Sequence, residues 1–252
     1  MLSLTSMTSA SNLDSTPRLF VPNALIAGAP VPLATGQAHY LGRVMRRGAG
    51  DPIRLFNGRD GEWLARIATI GRNDAACLPE HQLRRQAAEP DLWLAFAVLK
   101  REASELVVEK ATELGVARIC PVITDRTNVP RINAERWRAI ATEAAEQCER
   151  LSVPDIAEPV SLAALLRDWP PARPLFAALE RYGGASLPPH PGAGLLIGPE
   201  GGFAALEVEL LRRHPFVLGV GLGPRILRAE TAAIVGLVLL QSGALLQSRD
   251  GG

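Results

Sequence analysis

Between Ala193 and Gln241 the chain twice runs an apolar stretch into a glycine-rich turn and then into helical spacing. The first stretch reads A-G-L-L-I-G-P-E-G-G-F, Ala193 to Phe203. The second reads F-V-L-G-V-G-L-G-P-R-I-L-R-A-E-T-A-A, Phe216 to Ala233. A short apolar run closed by turn residues predicts a buried strand. Ala205, Leu206, Val208, Leu210 and Leu211 predict a helix after the first turn, and Ala232 to Leu246 one after the second. Strand, turn and helix, twice over, set two loops at the carboxyl ends of neighbouring strands, where open α/β sheets bind ligands. Without a Cβ, Gly198, Gly201, Gly202, Gly221 and Gly223 are free to take positive φ and to let a ligand reach the backbone. Neither loop is a phosphate cradle, because G-x-x-x-x-G-K-[ST] is absent and G-V-G-L-G-P lacks the spacing of G-x-G-x-x-G.

Upstream the period changes. From Arg18 to Leu83 the runs Leu19–Val21, Pro52–Phe56, Glu62–Ile70 and Ala75–Leu78 are short and separated by N-G, D-G and G-R-N-D turns. That punctuation predicts hairpins and a small barrel, with helical spacing only around His39 to Arg46. Leu83 to Pro90 reads as a connector. Asp91–Leu99 then predicts a buried strand, Ala103 to Leu114 a helix stopped at Gly115, and Arg118–Val122 the next strand. Trp137, Ile140, Ala141, Ala144, Ala145 and Cys148 mark a further helical face, and Pro174–Leu179 another strand. Alternating strands and helices imply a parallel sheet covered on both sides. The boundaries are a disordered tail at 1–17, a barrel at 18–86 and an α/β domain at 90–248.

Composition changes this picture little. The chain has 252 residues, 47% of them apolar, enough for a sizeable core, and a formal net charge of +1. So small a net charge leaves nucleic-acid binding open, since patches matter more than sums. All basic residues but Lys100 and Lys110 are arginines; Arg suits bidentate phosphate contact, though the bias equally reflects genome composition. Cys77, Cys120 and Cys148 fit neither a disulfide framework nor a zinc site, and free thiols suit a reducing cytoplasm. No apolar run reaches membrane-spanning length. The Ser/Thr-rich start, Met1 to Thr16, has neither the charged start and apolar middle of a secretory signal nor the arginines of a transit peptide.

G-P-E-G-G at Gly198–Gly202 and L-G-P-R-I-L-R-A-E-T-A at Leu222–Ala232 together resemble the signature of the RsmE-type 16S ribosomal RNA (uracil-N3)-methyltransferases, of the SPOUT class. E-K-A-T-E-L-G-V at Glu109–Val116, R-W-R-A-I-A-T-E-A-A-E-Q-C-E-R at Arg136–Arg150, H-Y-L-G-R-V-M-R at His39–Arg46 and N-G-R-D-G-E-W at Asn57–Trp63 fit the same pattern. The resemblance runs from Arg18 to Gln247. It implies an α/β fold: a SPOUT α/β-knot domain with a deep C-terminal trefoil knot, preceded by a small PUA-like β-barrel. It implies S-adenosyl-L-methionine (AdoMet) as methyl donor, no metal, and 16S rRNA, within the small ribosomal subunit, as partner. A homodimer and a cytoplasmic location follow from it too; the small-residue helix 232–246 fits a dimer interface and fits an ordinary core helix equally.

For the chemistry, the resemblance implies that the backbone around Leu196, Ile197, Gly198, Pro199, Glu200, Gly201 and Gly202, with Leu218, Gly219, Leu222, Gly223, Arg225, Ile226 and Leu227, holds the cofactor. Uracil N3 carries a proton in neutral solution, so a cation must spread the developing charge and a carboxylate or water must accept the proton. Arg225 and Arg228 are the candidates for the uracil oxygens or an adjacent phosphate. Glu200 and Glu230 are the candidate proton acceptors, with capping of the following helix as the other reading of Glu230 and a contact to the sulfonium as the other reading of Glu200. Arg43, Arg46, Arg47, Arg54, Lys100, Arg126 and Arg150 are the candidates for RNA contact; a charge run such as 43–59 is otherwise a solvated face. His39 reads as structural or RNA-contacting rather than catalytic. Glu113, Gln147 and Arg150 either line the uridine entry or brace helices. Two rivals remain: a SPOUT enzyme acting on ribose 2′-oxygen or another base, and a non-catalytic ribosome-binding factor of the same fold.

Overall fold

A computed structural model describes residues 15–127, 132–179 and 185–245, with side chains to Ser242. The backbone divides into two units, Met1–Ala88 and Glu89–Gly252.

The first unit holds β1 (Arg18–Phe20), β2 (Val31–Leu33), α1 (Thr35–His39) running into a turn of π-helix (Tyr40–Val44), β3 (Pro52–Phe56), β4 (Glu62–Ile70) and β5 (Ala75–Arg84). The strands lie in the order β1-β3-β4-β5-β2, with β1 parallel to β3 and the other pairs antiparallel. Every strand sends a side chain into one interior, Leu19, Val31, Ile53, Ile67 and Cys77 among them, which gives the sheet a barrel-like core. The N-G-R-D-G run folds for a local reason. Asn57 Oδ1 accepts from the amides of Arg59 and Asp60 at 3.0 and 2.8 Å, an Asx turn that reverses the chain. The side-chain amide of Asn57 then donates to Asn23 O and Asp60 Oδ2.

Three expectations for this unit change. Val31–Leu33 is a strand that its central proline hid. β5 continues through Pro79 to Arg84, because register shifts against β4 accommodate the proline. Of the expected tail, residues 1–14 lie outside the described residues, whereas Thr16 and Pro17 are buried and Pro17 O accepts from the Arg54 amide.

The second unit is a parallel sheet in the order β11-β13-β10-β12-β6-β7-β8, with β9 also beside β7. Its elements are β6 (Trp93–Ala97), α2 (Arg101–Glu113), β7 (Arg118–Ile123), α3 (Ala134–Gln147), β8 (Asp155–Ile156), β9 (Val160–Ser161) and α4 (Leu162–Asp168). They continue with β10 (Leu175–Ala178), β11 (Ala185–Ser186), β12 (Gly194–Ile197), α5 (Ala205–Arg212), β13 (Val217–Gly221) and α6 (Ala229–Leu245). Strand side chains alternate between two cores, as a period of two requires. Leu94, Phe96, Leu195 and Ile197 meet α2, α3 and α6, while Ala95 and Leu196 meet α4 and α5.

The strands carrying the two glycine turns are not direct neighbours. β10 lies between β12 and β13, so its carboxyl end becomes the floor between the loops. Helix α6 is tied at both flanks: Gln241 Nε2 donates to Leu114 O at 2.7 Å and His190 N to Leu240 O at 2.8 Å. The expected threading passes the C-terminal segment through an earlier loop; residues 180–184 and 246–252 lie outside the described residues.

Candidate active site

After β12 the chain makes a β-turn in which Gly202 N donates to Pro199 O at 2.8 Å, with Gly202 at φ +70. That conformation strains any residue with a Cβ. A Cβ on Gly198 would stand 2.9 Å from Phe203 Cε2, so glycine there lets the buried Phe203 ring close under the loop. Glu207, in the first turn of α5, fixes the loop from below. Its carboxylate accepts from Ala204 N at 2.8 Å and from Asp125 N at 2.9 Å. The latter contact brings in the β7 exit loop, where Arg126 Nη1 donates to Gly201 O at 2.6 Å.

The second loop, from Leu222 to Arg228, returns over the first. Its Ile226 and Leu227 join Arg126, Ala178, Leu179, Ile197–Phe203, Ala229 and Ala232 around a cavity of about 220 Å³. Apolar walls with glycine-bearing main chain along one side suit a flat purine-like group, since bare backbone offers N–H and C=O groups.

A second cavity, of about 550 Å³, opens where α2 starts. It is lined by Lys100, Glu102, Ala103, Leu106, Glu200, Arg228 and Glu230. Ser104 sets the geometry of this corner: its buried hydroxyl donates to Leu99 O and accepts from Leu99 N, both at 3.0 Å. That places Lys100 at the N-cap of α2. Arg228 caps α6, its carbonyl accepting from Ala232 N at 2.8 Å. Glu200 lines both cavities.

Of the expected cofactor residues, Ile197, Gly198, Pro199, Glu200, Gly201, Gly202, Ile226 and Leu227 line the first cavity. Leu196 does not, because strand alternation turns it into the α4–α5 core. Leu222 is buried in the opposite core; Leu218 and Gly219 sit exposed on β13, and Gly223 and Arg225 are exposed in the loop beyond it. Arg228, Glu200 and Glu230 come together at the second cavity, whereas Arg225 lines neither. Sequence reasoning missed Ala178, Leu179, Phe203, Ala229, Ala232 and Glu207. Glu207 was legible as a capping acid three residues after Ala204; the strand-end pair depends on strand order.

Among the RNA-contact candidates, Arg43 and Arg46 are exposed at the π-helical turn, with Arg46 at φ +54. Arg47 is half-buried and donates to Ser15 O at 3.3 Å. Two candidates point inward and are corrected. Arg54 is 8% exposed and faces the barrel carboxylate of Glu62 at 3.8 Å. Arg150 binds Glu89 Oε2 at 2.7 Å and Thr112 O at 3.0 Å, so it braces helices instead of reaching RNA. Lys100 and Arg126 belong to the two cavities. His39 is exposed. Glu113 pairs with Lys110 at 2.8 Å and, with Gln147, lines a groove between α2 and α3. Among the described residues no group of three His, Cys, Asp or Glu could hold a metal, and no helix is long and apolar enough to cross a membrane.

The sequence of residues 87–241 matches the model of the RNA methyltransferase domain, and residues 33–80 match that of the RNA methyltransferase PUA domain. The chain belongs to the RNA methyltransferase family. Its fold is the expected class, a SPOUT-type α/β domain preceded by a PUA-like one. A ribosomal RNA small subunit methyltransferase E of Rickettsia conorii is 33% identical over 87% of this chain and 93% of its own. A Legionella pneumophila protein solved with bound SAM superposes with a TM-score of 0.79 at 34% identity, covering 90% of this chain and 98% of its own. A ribosomal RNA small subunit methyltransferase E of Neisseria gonorrhoeae, bound to S-adenosyl methionine, gives 0.80 at 28% identity, covering 90% of this chain and 97% of its own. The methyl donor expected from the sequence is thus the ligand that both solved neighbours carry.

Proposed function

We propose that this protein transfers the methyl group of AdoMet to N3 of a uridine in 16S ribosomal RNA. The observation that carries this reading is the sharing of Glu200 between a glycine-walled cavity, taken here as the AdoMet site, and a charged cavity beside it. Relatives named for small-subunit ribosomal RNA support the substrate.

AdoMet supplies an already electrophilic methyl carbon, so the protein's task is alignment and charge management. The loop Ile197–Gly202, with Ile226 and Leu227, holds the donor and keeps water away. Arg228 faces the uracil oxygens, Arg225 an adjacent phosphate, and Glu200 and Glu230 are the proton acceptors available to N3. The barrel unit presents Arg43 and Arg46 to the RNA backbone. On this reading the domains are an RNA-binding barrel at 18–86 and a catalytic domain at 90–248, whose C-terminal segment is threaded. The enzyme works in the cytoplasm on the small subunit as a homodimer, for which α6 supplies a half-exposed apolar stripe including Val238.

Mass spectrometry of nucleosides from small-subunit RNA treated with this protein and AdoMet tests the reading. N3-methyluridine is the expected product. A ribose-methylated nucleoside, or subunit binding without AdoMet binding, would overturn it.

A further inference from the structure

The second cavity holds five charged side chains of two signs, Lys100 and Arg228 against Glu102, Glu200 and Glu230. Among the described residues none of the five forms an ion pair. Opposite charges gathered around a hollow without neutralising one another are an arrangement suited to a polar guest. Resting on the reading above, we propose that this cavity receives the target uracil, with Lys100 and Arg228 holding its two carbonyl oxygens and Glu200 taking the N3 proton.

The chemistry separates Glu200 from Glu230. The N3–H bond and the electron pair it leaves behind both lie in the ring plane. The group that removes the proton therefore stands on the side from which the methyl group arrives. Glu200 lines the donor cavity as well as this one, and Glu230 lines only this one. Proton transfer to the Glu200 carboxylate leaves negative charge on N3 and, by resonance, on O2 and O4. Lys100 and Arg228 stabilise that charge where it develops. The N3 pair then forms the new N–C bond as the S–CH₃ bond breaks and its electrons stay on sulfur. The products are N3-methyluridine and S-adenosylhomocysteine, and the proton passes from Glu200 to solvent.

The test measures single-turnover methylation of small-subunit particles whose RNA carries uridine or 5-fluorouridine, across neutral to alkaline pH. Fluorine makes N3 more acidic and so lessens the need for help with the proton. Lys100→Met is expected to lose about 100-fold in rate at neutral pH, the scale of removing one donor from a developing anion. The loss shrinks at alkaline pH and with 5-fluorouridine, while Lys100→Arg retains most of the rate. Glu200→Gln follows the same pattern, Glu209→Gln on the exposed side of α5 matches wild type, and AdoMet affinity by calorimetry is unchanged in Lys100→Met. A Lys100→Met enzyme with the wild-type pH profile and fluorine response would overturn the assignment while leaving the proposed activity intact. So would a marked loss of AdoMet affinity, which would give this cavity to the donor's amino-acid tail. Failure of the wild-type protein to form N3-methyluridine would overturn both.

Discussion

Arg126 Nη1 donates to Gly201 O across 2.6 Å. The contact ties the β7 exit loop to the main chain that walls the glycine-lined cavity. A hydrogen bond from a charged group contributes about 1.5–3 kcal/mol, toward the lower end where exposed. Arg126→Ala is therefore expected to raise the Kd for AdoMet roughly tenfold, at about 1.4 kcal/mol per decade. Calorimetric titration reads this directly, and an unchanged Kd would show that the loop keeps its shape without Arg126.

Glu207 acts on the same loop from the buried side. Its carboxylate is the acceptor for two amides from separate segments, Ala204 and Asp125. Glu207→Ala leaves both donors without their partner and is expected to cost about 1–3 kcal/mol, the range for an unsatisfied buried group. Denaturant unfolding should show the loss, and Glu207→Gln should recover part of it. A Glu207→Ala variant as stable as wild type would mean that water replaces the carboxylate.

The two glycine turns, the helices after them and a parallel sheet covered on both faces were legible in the sequence, because each rests on local spacing. Gly202 and Phe203 illustrate the limit. The turn at Gly202 follows from residue type, but Phe203 as the side chain under Gly198 does not, since that contact depends on how the loop folds back. Ala178 and Leu179 were hidden for another reason. They reach the cavity only because β10 inserts between β12 and β13, and strand order is a long-range property. Arg54 and Arg150 failed in the opposite way: an arginine looks the same in sequence whether its guanidinium meets water or turns inward to a carboxylate, as these two do to the buried Glu62 and the half-buried Glu89.

Gly194 opens β12 against the indole of Trp169. A Cβ there would lie 2.2 Å from Trp169 Cζ2 and 3.1 Å from Leu175 Cδ1. The indole has little freedom to move, being buried and donating through Nε1 to Arg173 O at 2.9 Å. Gly194→Ala is expected to destabilise the α/β unit by about 1–3 kcal/mol, the usual cost of overpacking. A second change, Trp169→Leu, should absorb part of that cost in a double-mutant cycle. Additive effects of the two changes would disprove the contact.

Burial pushes the Cys77 thiol up to about 12 and the Cys120 thiol up to about 11. The thiolate is the reactive form, so both are expected to resist alkylation in the folded protein. Cys148 is only half-buried. Iodoacetamide treatment followed by peptide mass spectrometry should find Cys148 modified first, with Cys77 and Cys120 reacting only as the protein unfolds. Early labelling of Cys77 would mean that the barrel core opens readily.

Asp60 gives the barrel unit a defined response to acid. Its carboxylate accepts from Leu25 N at 2.9 Å and from Asn57 Nδ2 at 2.7 Å. The Leu25 amide, then Asn57, then the Arg59 charge hold the carboxyl below its ordinary value of 3.8. In the unfolded chain these partners are gone and Asp60 takes up its proton at a higher pH than in the fold. Stability from this group is therefore complete above the unfolded value and is lost as pH falls through the lower folded one. The observable consequence is local: exchange of the Leu25 amide with solvent should accelerate as pH drops below that of the unfolded carboxyl, after correction for intrinsic rates. Asp60→Asn keeps an acceptor oxygen but no titrating charge, and should flatten this acid dependence. If wild type and Asp60→Asn gave parallel profiles, the acid sensitivity of the turn would lie in another carboxylate.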